Sequence, residues 1–536
     1  MSSKKKSERS HEDFNKIVLR NSRTKKVAQK IFFSRTVITF AAIFVQLLLL
    51  ILFIVFVNNK LNFYFGISLA VSAAFIIYIS NSGGKNEYKI AWLGITVLFP
   101  VIGITCYIIY HTDGAARKLA KEIEKINTEI DSVLVEKSKS EVESVEKSFP
   151  EYKNISNYLY KCGSFSPHKN SAVKYYANGE TFYPDFLESL KSAKKYIFIE
   201  FFIITIDECW EKIVEILEQK VKEGVEVRLI CDGVGTYMIT GKAYQRYLKE
   251  KGIKSKVFNP LLPIISTPVN NRDHRKIVVI DGKLAYTGGI NLSNQYFNYG
   301  KNKFPYWKDN FVEIRGPAIQ NLLQLFFEVW NIGEKVKDNY ASYLNIDYEK
   351  IETDGFVIPY GDDAFNSEDI AENVYLEIIN NAKKYLYITT PYVVIDNQML
   401  TALTFATKKG IDVRIIVPSK PDHLITFCIG KTYLKNLLDG GVKIYLYEKG
   451  FIHAKTFLCD DNVGTVGSIN LDYRSLYAHF ECGALICKNP ALADIKADFE
   501  SMFKNDCQEM NVQDYKKIPA WQRFTGRVLR LFGPLL

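Results

Sequence analysis

Two stretches of the chain carry the same pattern of ionisable residues: a histidine, a lysine two positions later and an aspartate five positions after the lysine. The copies of this H-x-K-x4-D pattern are His274, Lys276 and Asp281, and His453, Lys455 and Asp460. Residues two apart on a β-strand project to the same face. Each copy is therefore expected to direct an imidazole and an ammonium group into one site, and we take all six residues as catalytic candidates.

A phosphodiester is the substrate group that suits two imidazoles and two ammonium groups. The ammonium charges would stabilise the phosphoryl oxygens as negative charge develops. One imidazole would attack phosphorus, while the other would protonate the departing oxygen and then deprotonate the incoming hydroxyl. The sequence offers no carboxylate cluster for a metal ion, so it predicts a reaction without metal or cofactor.

Short runs of small residues follow each triad at the same offset, GGIN at 288–291 and GSIN at 467–470. Their backbone N–H groups and the amides of Asn291 and Asn470 are predicted to cradle phosphate oxygens. A single Gly-Gly pair is typical of an ordinary turn. The repetition favours a binding role here.

Two acids are candidates to orient the histidines, because a catalytic imidazole usually needs a carboxylate on its other ring nitrogen. Asp309 follows His274 by 35 residues, and Glu481 follows His453 by 28 residues, each in a strand-like run. We expect each acid to serve the histidine of its own repeat. The alternative is an exposed or structural acid.

The triads belong to a longer internal repeat. Three pairs of segments match in order: 190–207 with 379–396, 223–233 with 409–419, and 274–293 with 453–472. Each copy reads as helix, apolar strand, helix, apolar strand and a strand–turn–strand unit, the pattern of an α/β sheet covered on both faces. We expect two related domains, at 151–340 and 341–518, each a mixed sheet flanked by helices, packed about a pseudo-twofold axis.

The formal net charge of +10 is concentrated at the N-terminus, where residues 1–35 carry eleven Lys or Arg against three Asp or Glu. The rest of the chain is nearly neutral. A nuclease would need a basic groove to offset phosphate repulsion. The charge distribution therefore argues against a nucleic-acid partner and favours an anionic membrane surface.

An N-terminal membrane region is predicted after a basic cytoplasmic tail at 1–36. It covers residues 37–110, and its three apolar runs have lengths close to those of bilayer-spanning helices. The runs are 37–57, 63–79 and 90–110. The sequence leaves open whether 63–79 spans fully and which side of the membrane holds the remaining domains.

Two further segments are read from their charge patterns. Residues 111–150 are highly charged and are predicted to form a solvated helix or linker. The segment 519–536 is amphipathic, with Arg523, Arg527 and Arg530 on one side and apolar residues on the other. It is either an interfacial helix on anionic lipid or a helix packed on the catalytic domains.

The two H-x-K-x4-D motifs with GGIN and GSIN resemble the phospholipase D superfamily over about residues 150–510. Within it, the apolar spans with KIAWLGITVLFPVIGITCYIIY, the HRKIVVIDG run, YWKDNFVEIRGPAI and the terminal PLL resemble bacterial cardiolipin synthases of the phospholipase D type. The resemblance implies that His274 forms a covalent phosphatidyl-enzyme and that His453 is the general acid and base, although symmetry allows the reverse. Three apolar runs stand where many relatives have two.

The resemblance also implies the reaction: transfer from one phosphatidylglycerol to another, giving cardiolipin and glycerol without a cofactor, in a multi-pass protein of the bacterial cell membrane. An alternative is a membrane-bound phospholipase D or phosphodiesterase that uses water as acceptor. A non-enzymatic scaffold is a third reading, against which two intact motifs argue. The sequence leaves the oligomeric state open, including a homo-oligomer.

Overall fold

The computed structural model describes residues 61–111, 114–236, 239–260, 271–300, 302–366 and 368–535. These residues divide into two compact units. The first holds residues 61–111 with 241–247, and the second holds the remainder. The predicted basic tail and the apolar run 37–57 lie outside the described residues.

Three helices make up residues 61–111 of the first unit, Leu61–Asn81, Asn86–Leu98 and Pro100–His111. The predicted run 90–110 is divided between the last two. Helix Asn86–Leu98 ends because Pro100 has no N–H to continue it, and Phe99 takes a non-helical conformation at the junction. Among the helices described, none combines the length and the apolar character needed to cross a bilayer.

The other described helices follow, and apart from residues 242–247 they belong to the second unit, which also holds two large sheets. In chain order they are Gly114–Ser148, Lys153–Gly163, Gly179–Ser192, Glu208–Lys222, Lys242–Glu250, Ile319–Trp330, Ala341–Leu344, Ile370–Asn381, Asn397–Lys408, Leu424–Asp439, Tyr473–Tyr477, Ala491–Asn505, Val512–Lys517 and Ala520–Arg530, with 3₁₀ turns at Pro150–Tyr152 and Gly533–Leu535. Asp207 and Asp396 occupy equivalent repeat positions. Each begins a helix by accepting the N–H of the residue three places on.

The first sheet is built from the first repeat. Its region contains β1 (Ala172–Tyr176), β2 (Tyr196–Phe201), β3 (Glu226–Asp232), β4 (Lys254–Phe258), β5 (Lys276–Ile280), β6 (Leu284–Gly288), β7 (Trp307–Lys308) and β8 (Phe311–Arg315). The order is β1-β8-β6-β5-β2-β3-β4. The β2, β3 and β4 strands are parallel, and the other neighbours are antiparallel.

The second sheet repeats that order and adds one strand. Its region contains β9 (Phe356–Asp362), β10 (Tyr385–Thr389), β11 (Val393–Val394), β12 (Asp412–Pro418), β13 (Lys443–Tyr447), β14 (Phe451–Ile452), β15 (Thr456–Cys459), β16 (Val463–Gly467), β17 (Leu471–Asp472), β18 (Glu481–Cys487) and β19 (Cys507–Met510). The order is β19-β13-β12-β10-β15-β16-β18-β9. The predicted pair of α/β folds with mixed sheets is confirmed.

Four strands are buried along their whole length, as their continuous apolar sequences predict. Every residue of β2 and β5 is buried, and so is every residue of β15 and β18. Parallel strands covered on both faces carry such sequences because helices occupy both sides of the sheet. Short strand β7 pairs with β14, which links the two repeats through their backbones.

Residues 114–148 form a single helix, one of the two forms predicted for 111–150, but the helix is not solvated on all sides. Helix Gly114–Ser148 buries a stripe of apolar residues at three- and four-residue spacing, namely Ile123, Ile126, Ile130, Leu134, Val142 and Val145. Asn127 donates a hydrogen bond of 2.9 Å to Glu328 on helix Ile319–Trp330. The many charges lie on the opposite face of an amphipathic helix that packs on the first repeat.

Candidate active site

Both H-x-K segments meet at one cavity of about 520 Å³. His274 and His453 line it, and each stands just before the central antiparallel strand of its sheet, β5 or β15. Lys276 and Lys455 are buried two residues further on. The two repeats thus bring their histidines to a common space of the size of small-ligand pockets.

The backbone at each histidine pairs with the other repeat. The N–H of His274 donates to the carbonyl of Phe480 at 2.8 Å, and the N–H of His453 donates to the carbonyl of Lys308 at 2.7 Å. Each acceptor immediately precedes one of the predicted orienting acids. Pairing between repeats therefore sets the acid of one repeat beside the histidine of the other.

The side chains complete this crossed arrangement. Nδ1 of His274 lies 2.9 Å from both carboxylate oxygens of Glu481, and Nδ1 of His453 lies 2.6 Å from Oδ2 of Asp309. All four side chains are buried. Both acids contact a histidine, as the sequence predicts, but the predicted pairing within one repeat differs from the pairing in the structure. The predicted pairing is wrong because the segment that carries each acid pairs with the histidine segment of the other repeat.

Burial and neighbouring charges set the protonation states. Burial lowers the pKa of His274 to about 3 against the opposing charge of Glu481. Burial and the charge of Lys455 lower the pKa of His453 to about 4. Burial acts to raise the pKa of Glu481, but His274 outweighs it and holds that pKa below its usual value. At neutral pH each ring is uncharged beside an ionised acid, and Nε2 faces away from that acid.

The lysines lie against the histidine backbone. Nζ of Lys276 donates to the carbonyl of His274 at 2.5 Å. Nζ of Lys455 donates to the carbonyl of His453 and lies 2.7 Å from Nδ1 of the same residue. Burial lowers the pKa of Lys276 to about 8 and that of Lys455 to about 7. An anion entering the cavity would restore the charged forms by offsetting burial.

The GGIN and GSIN runs, which were predicted to cradle phosphate oxygens, also position the two acids. This second role was not predicted from the sequence. A Cβ at Gly289 would lie 2.0 Å from Oδ1 of Asp309, so this position must be glycine for the carboxylate to reach His453. The equivalent residue of the second run is Ser468, whose hydroxyl donates to Glu481. The two half-sites therefore support their acids differently.

The predicted amides are brought to the cavity. Asn291 and Asn470 both line it. Oδ1 of Asn291 accepts the N–H of Ile203 at 3.0 Å, and its buried NH₂ group makes no hydrogen bond within the described structure. A buried donor without an acceptor favours an oxygen-rich ligand. Phosphate binding by these amides stays a prediction.

The motif aspartates are not brought to the cavity. Asp281 follows the far end of β5 and accepts the backbone N–H groups of Lys194, Lys195 and Tyr196 at 2.7, 2.7 and 2.8 Å. Asp460 does the same at the start of β10, with distances of 2.7, 2.9 and 2.8 Å. The prediction that these two aspartates are catalytic is therefore corrected. Their carboxylates bind the backbone at the start of a central strand.

The residues two positions before each acid also lie at the site, although no sequence prediction included them there. His479 lines the cavity, with Nδ1 3.7 Å from Oε1 of Glu481. Its counterpart Trp307 lies with its ring centre 5.3 Å from that of His453. Residues two positions apart on a strand face the same side, so their position two residues before each acid could have identified them. The His274 side of the cavity is therefore more polar, and the His453 side more aromatic.

One described cluster could hold a metal ion. His274, His479 and Glu481 each offer a ligand atom, and these atoms lie within 4.8 Å of one another. Nδ1 of His274 and the carboxylate of Glu481 already bond each other. A metal ion here would compete with the pairing that orients His274.

Comparison with known proteins agrees with the geometry. The family model described as "Cardiolipin synthase, PLD-like domain" matches residues 186–330 and 375–503, and a phospholipase D-nuclease N-terminal model matches residues 68–110. A Geobacillus kaustophilus protein named cardiolipin synthase is 31% identical over 486 residues, 90% of this chain and 95% of that protein.

Two further proteins are similar. A Streptococcus mutans protein described as uncharacterized is 39% identical over 461 residues, 86% of this chain and 99% of that protein. The crystal structure of phosphatidylserine synthase from Haemophilus influenzae shares the fold, with a TM-score of 0.55 and 15% identity over 72% of this chain and 97% of that one. On these matches the chain belongs to the cardiolipin synthase family of phospholipase D-like proteins.

Proposed function

We propose that this protein is a phosphatidyltransferase that makes cardiolipin. It transfers the phosphatidyl group of one phosphatidylglycerol to the glycerol hydroxyl of another and releases glycerol. One phosphodiester replaces another of nearly equal free energy, so the reaction needs no nucleotide. The names of its relatives support this function.

The observation that carries the proposal is the pair of crossed half-sites on one cavity. Each half-site supplies a neutral imidazole held by an ionised acid, with a buried lysine two residues away. Displacement at phosphorus through a covalent intermediate needs one nucleophile and one proton carrier on opposite sides of the phosphoryl group. Two histidines facing a shared cavity supply both.

In the first step, Nε2 of His274 attacks phosphorus and the bond from phosphorus to the head-group glycerol oxygen breaks. Glu481 supports this role because it accepts the Nδ1 proton and leaves the Nε2 lone pair free. An entering phosphodiester anion offsets the burial that lowers the pKa of His453, so the ring takes up a proton on Nε2 and then gives it to the departing oxygen. Asp309 supports this role, because its carboxylate accepts the Nδ1 proton of His453 and leaves the Nε2 proton as the one that is transferred.

In the second step, His453 takes the proton of the second phosphatidylglycerol's hydroxyl, whose oxygen attacks phosphorus. The phosphorus–nitrogen bond to His274 breaks, and both residues return to their starting states. Lys276 and Lys455 stabilise the phosphoryl oxygens in both displacements. Asn291 and Asn470 provide further contacts for those oxygens.

The substrate class also fits a membrane location. We propose that the N-terminal region holds the protein in the bacterial cell membrane as a multi-pass anchor, with phosphatidylglycerol and other anionic lipids as partners. The support is the apolar run 37–57, the basic tail before it and the apolar sequence of 63–79 and 90–110. The break at Phe99 means that 90–110 would not cross as one straight helix.

The test is to incubate the purified full-length enzyme in detergent with phosphatidylglycerol alone and to analyse the lipids and free glycerol. Equal amounts of cardiolipin and glycerol support the proposal. Phosphatidic acid as the sole lipid product would show a hydrolase that uses water. His274→Ala is the control, and any product formed by that variant belongs to a contaminant.

A further inference from the structure

The C-terminal helix, Ala520–Arg530, packs on helix Leu424–Asp439 through one side. A Cβ at Gly526 would lie 2.2 Å from the carbonyl oxygen of Cys428, so the two backbones touch at this glycine. The guanidinium of Arg530 lies 4.0 Å from the ring centre of Tyr433. Lys431 donates to Gln522 at 3.2 Å. The small and polar side of the helix is therefore the buried side.

The opposite side is apolar and exposed. Trp521, Phe524, Val528 and Leu531 have relative exposures of 54%, 69%, 49% and 41%. The spacing of these residues places them on one face of a helix. Docking of the polar side leaves this face turned away from the protein, the reverse of the usual arrangement for a helix that covers a core.

This face belongs to the same pair of helices that forms the rim of the active-site cavity. Leu424 and Ile425 begin the supporting helix and are 50% and 55% exposed. Their neighbours His423 and Thr426 line the cavity, and so does Gly533, just after the C-terminal helix. We call Leu424, Ile425, Trp521, Phe524, Val528 and Leu531 the rim surface.

Positive charge accompanies the rim surface. Residues 512–536 contain five Lys or Arg and one Asp. Arg523 and Arg527 flank the apolar face of the helix. Apolar side chains bordered by arginines are typical of a helix that lies in the boundary between lipid head groups and acyl chains of an anionic bilayer.

We propose that the rim surface inserts into an anionic phospholipid bilayer and brings the cavity to the head groups. This inference rests on the proposed function, because the substrates would then be lipids that stay in the bilayer while their phosphodiesters enter the cavity. The charge of the segment and the proximity of its apolar residues to the cavity rim favour a bilayer over a second protein copy. Self-association through the same face is the rival that the test must reject.

The variant to test is Phe524→Asp combined with Val528→Asp. Phe524 and Val528 are 69% and 49% exposed, so the substitutions leave the core intact. The matched control is Val336→Asp, which changes a residue that is 86% exposed and absent from the cavity lining. Each protein is assayed on phosphatidylglycerol vesicles and on short-chain phosphatidylglycerol below its critical micelle concentration.

The double variant is expected to lose about tenfold or more in kcat/KM on vesicles and to match the wild type on the dissolved substrate. The control is expected to match the wild type on both. Equal activity of the double variant on vesicles, or an equal loss on both substrates, would overturn the inference. If the wild type makes no cardiolipin from either substrate, the proposed function fails instead.

A second measurement locates the rim surface without using enzyme activity. Tryptophan fluorescence is recorded for the wild type and for Trp521→Phe, and the difference is the emission of Trp521. This emission is compared between vesicles of ordinary and of brominated phosphatidylglycerol. Quenching of the Trp521 component by the brominated acyl chains supports insertion. An unquenched component, or a dimer in detergent that the double variant dissociates, would assign the surface to another occupant.

Discussion

His274 and Glu481 are joined by a hydrogen bond although 207 residues separate them in the chain, with Nδ1 2.9 Å from each carboxylate oxygen. His453 and Asp309 form the matching pair over 144 residues. Each repeat supplies the histidine of one half-site and the acid of the other. Neither repeat could orient its own histidine alone, so the two copies depend on each other for activity.

The crossed pairing predicts which variants behave alike. With a phosphatidyl ester of p-nitrophenol, the leaving group needs no proton, so only the nucleophile and its acid are required for its release. Glu481→Gln should then resemble His274→Ala and slow p-nitrophenol release by about 10²–10⁴-fold. Asp309→Asn and His453→Ala should keep a single burst, measured by stopped-flow absorbance. A burst that survives Glu481→Gln but not Asp309→Asn would contradict the pairing.

Gly289→Ala should damage catalysis without touching the cavity lining. The new Cβ would overlap Oδ1 of Asp309, so the carboxylate must leave His453. We expect kcat with phosphatidylglycerol to fall about 10²-fold or more, with KM little changed. The control is Ser468→Ala, where a Cβ already exists and one hydrogen bond to Glu481 is lost. Equal effects of the two substitutions would refute this explanation of the glycine.

Activity should fall on the alkaline side of neutrality. The pKa values of Lys455 and Lys276, lowered by burial to about 7 and about 8, mean that the free enzyme loses these charges as pH rises through that range. Both histidines are neutral in the free enzyme above about pH 4, so the proton that His453 donates is taken up as substrate binds. The decline of kcat/KM with pH should therefore steepen above pH 7, where the lysine charges are lost as well. Constant activity to about pH 10 would contradict the lowered lysine pKa values.

Asp281→Ala should weaken folding more than chemistry. Three backbone N–H groups at the start of β2 lose their acceptor, which we expect to lower the free energy of unfolding by about 2 kcal/mol. Turnover per folded enzyme should stay near the wild-type value. Thermal denaturation and activity at a temperature well below unfolding separate the two effects. The opposite outcome, an inactive enzyme of normal stability, would return Asp281 to the catalytic group.

Chelators should leave activity unchanged, because the lysine ammonium groups provide the charge that a metal ion would otherwise supply. Added Zn²⁺ should inhibit, since His274, His479 and Glu481 can converge on one ion. His479→Ala should weaken that inhibition. Activity is measured by cardiolipin formation after dialysis against EDTA and after zinc titration. Loss of activity in EDTA that Zn²⁺ restores would establish a metal requirement.

Local patterns in the sequence were enough to predict the repeat and the α/β class with mixed sheets, and to select the histidines that line one cavity and the lysines buried beside them. These features are local: an apolar run reports a covered strand, and the H-x-K spacing reports a shared face. Asp309 and Glu481 could be selected as candidate acids for the same reason. The buried stripe of helix Gly114–Ser148 was also present in the sequence, but its charges obscured the pattern.

The tertiary structure decided how these parts combine. Each acid contacts the histidine of the other repeat, and Asp281 and Asp460 lie away from the cavity. Gly289 leaves the space that the Asp309 carboxylate occupies. The tertiary structure also showed which side of the C-terminal helix is exposed. None of these follows from spacing, because they depend on how two similar sheets close against each other and on side-chain contacts between separate elements of the fold.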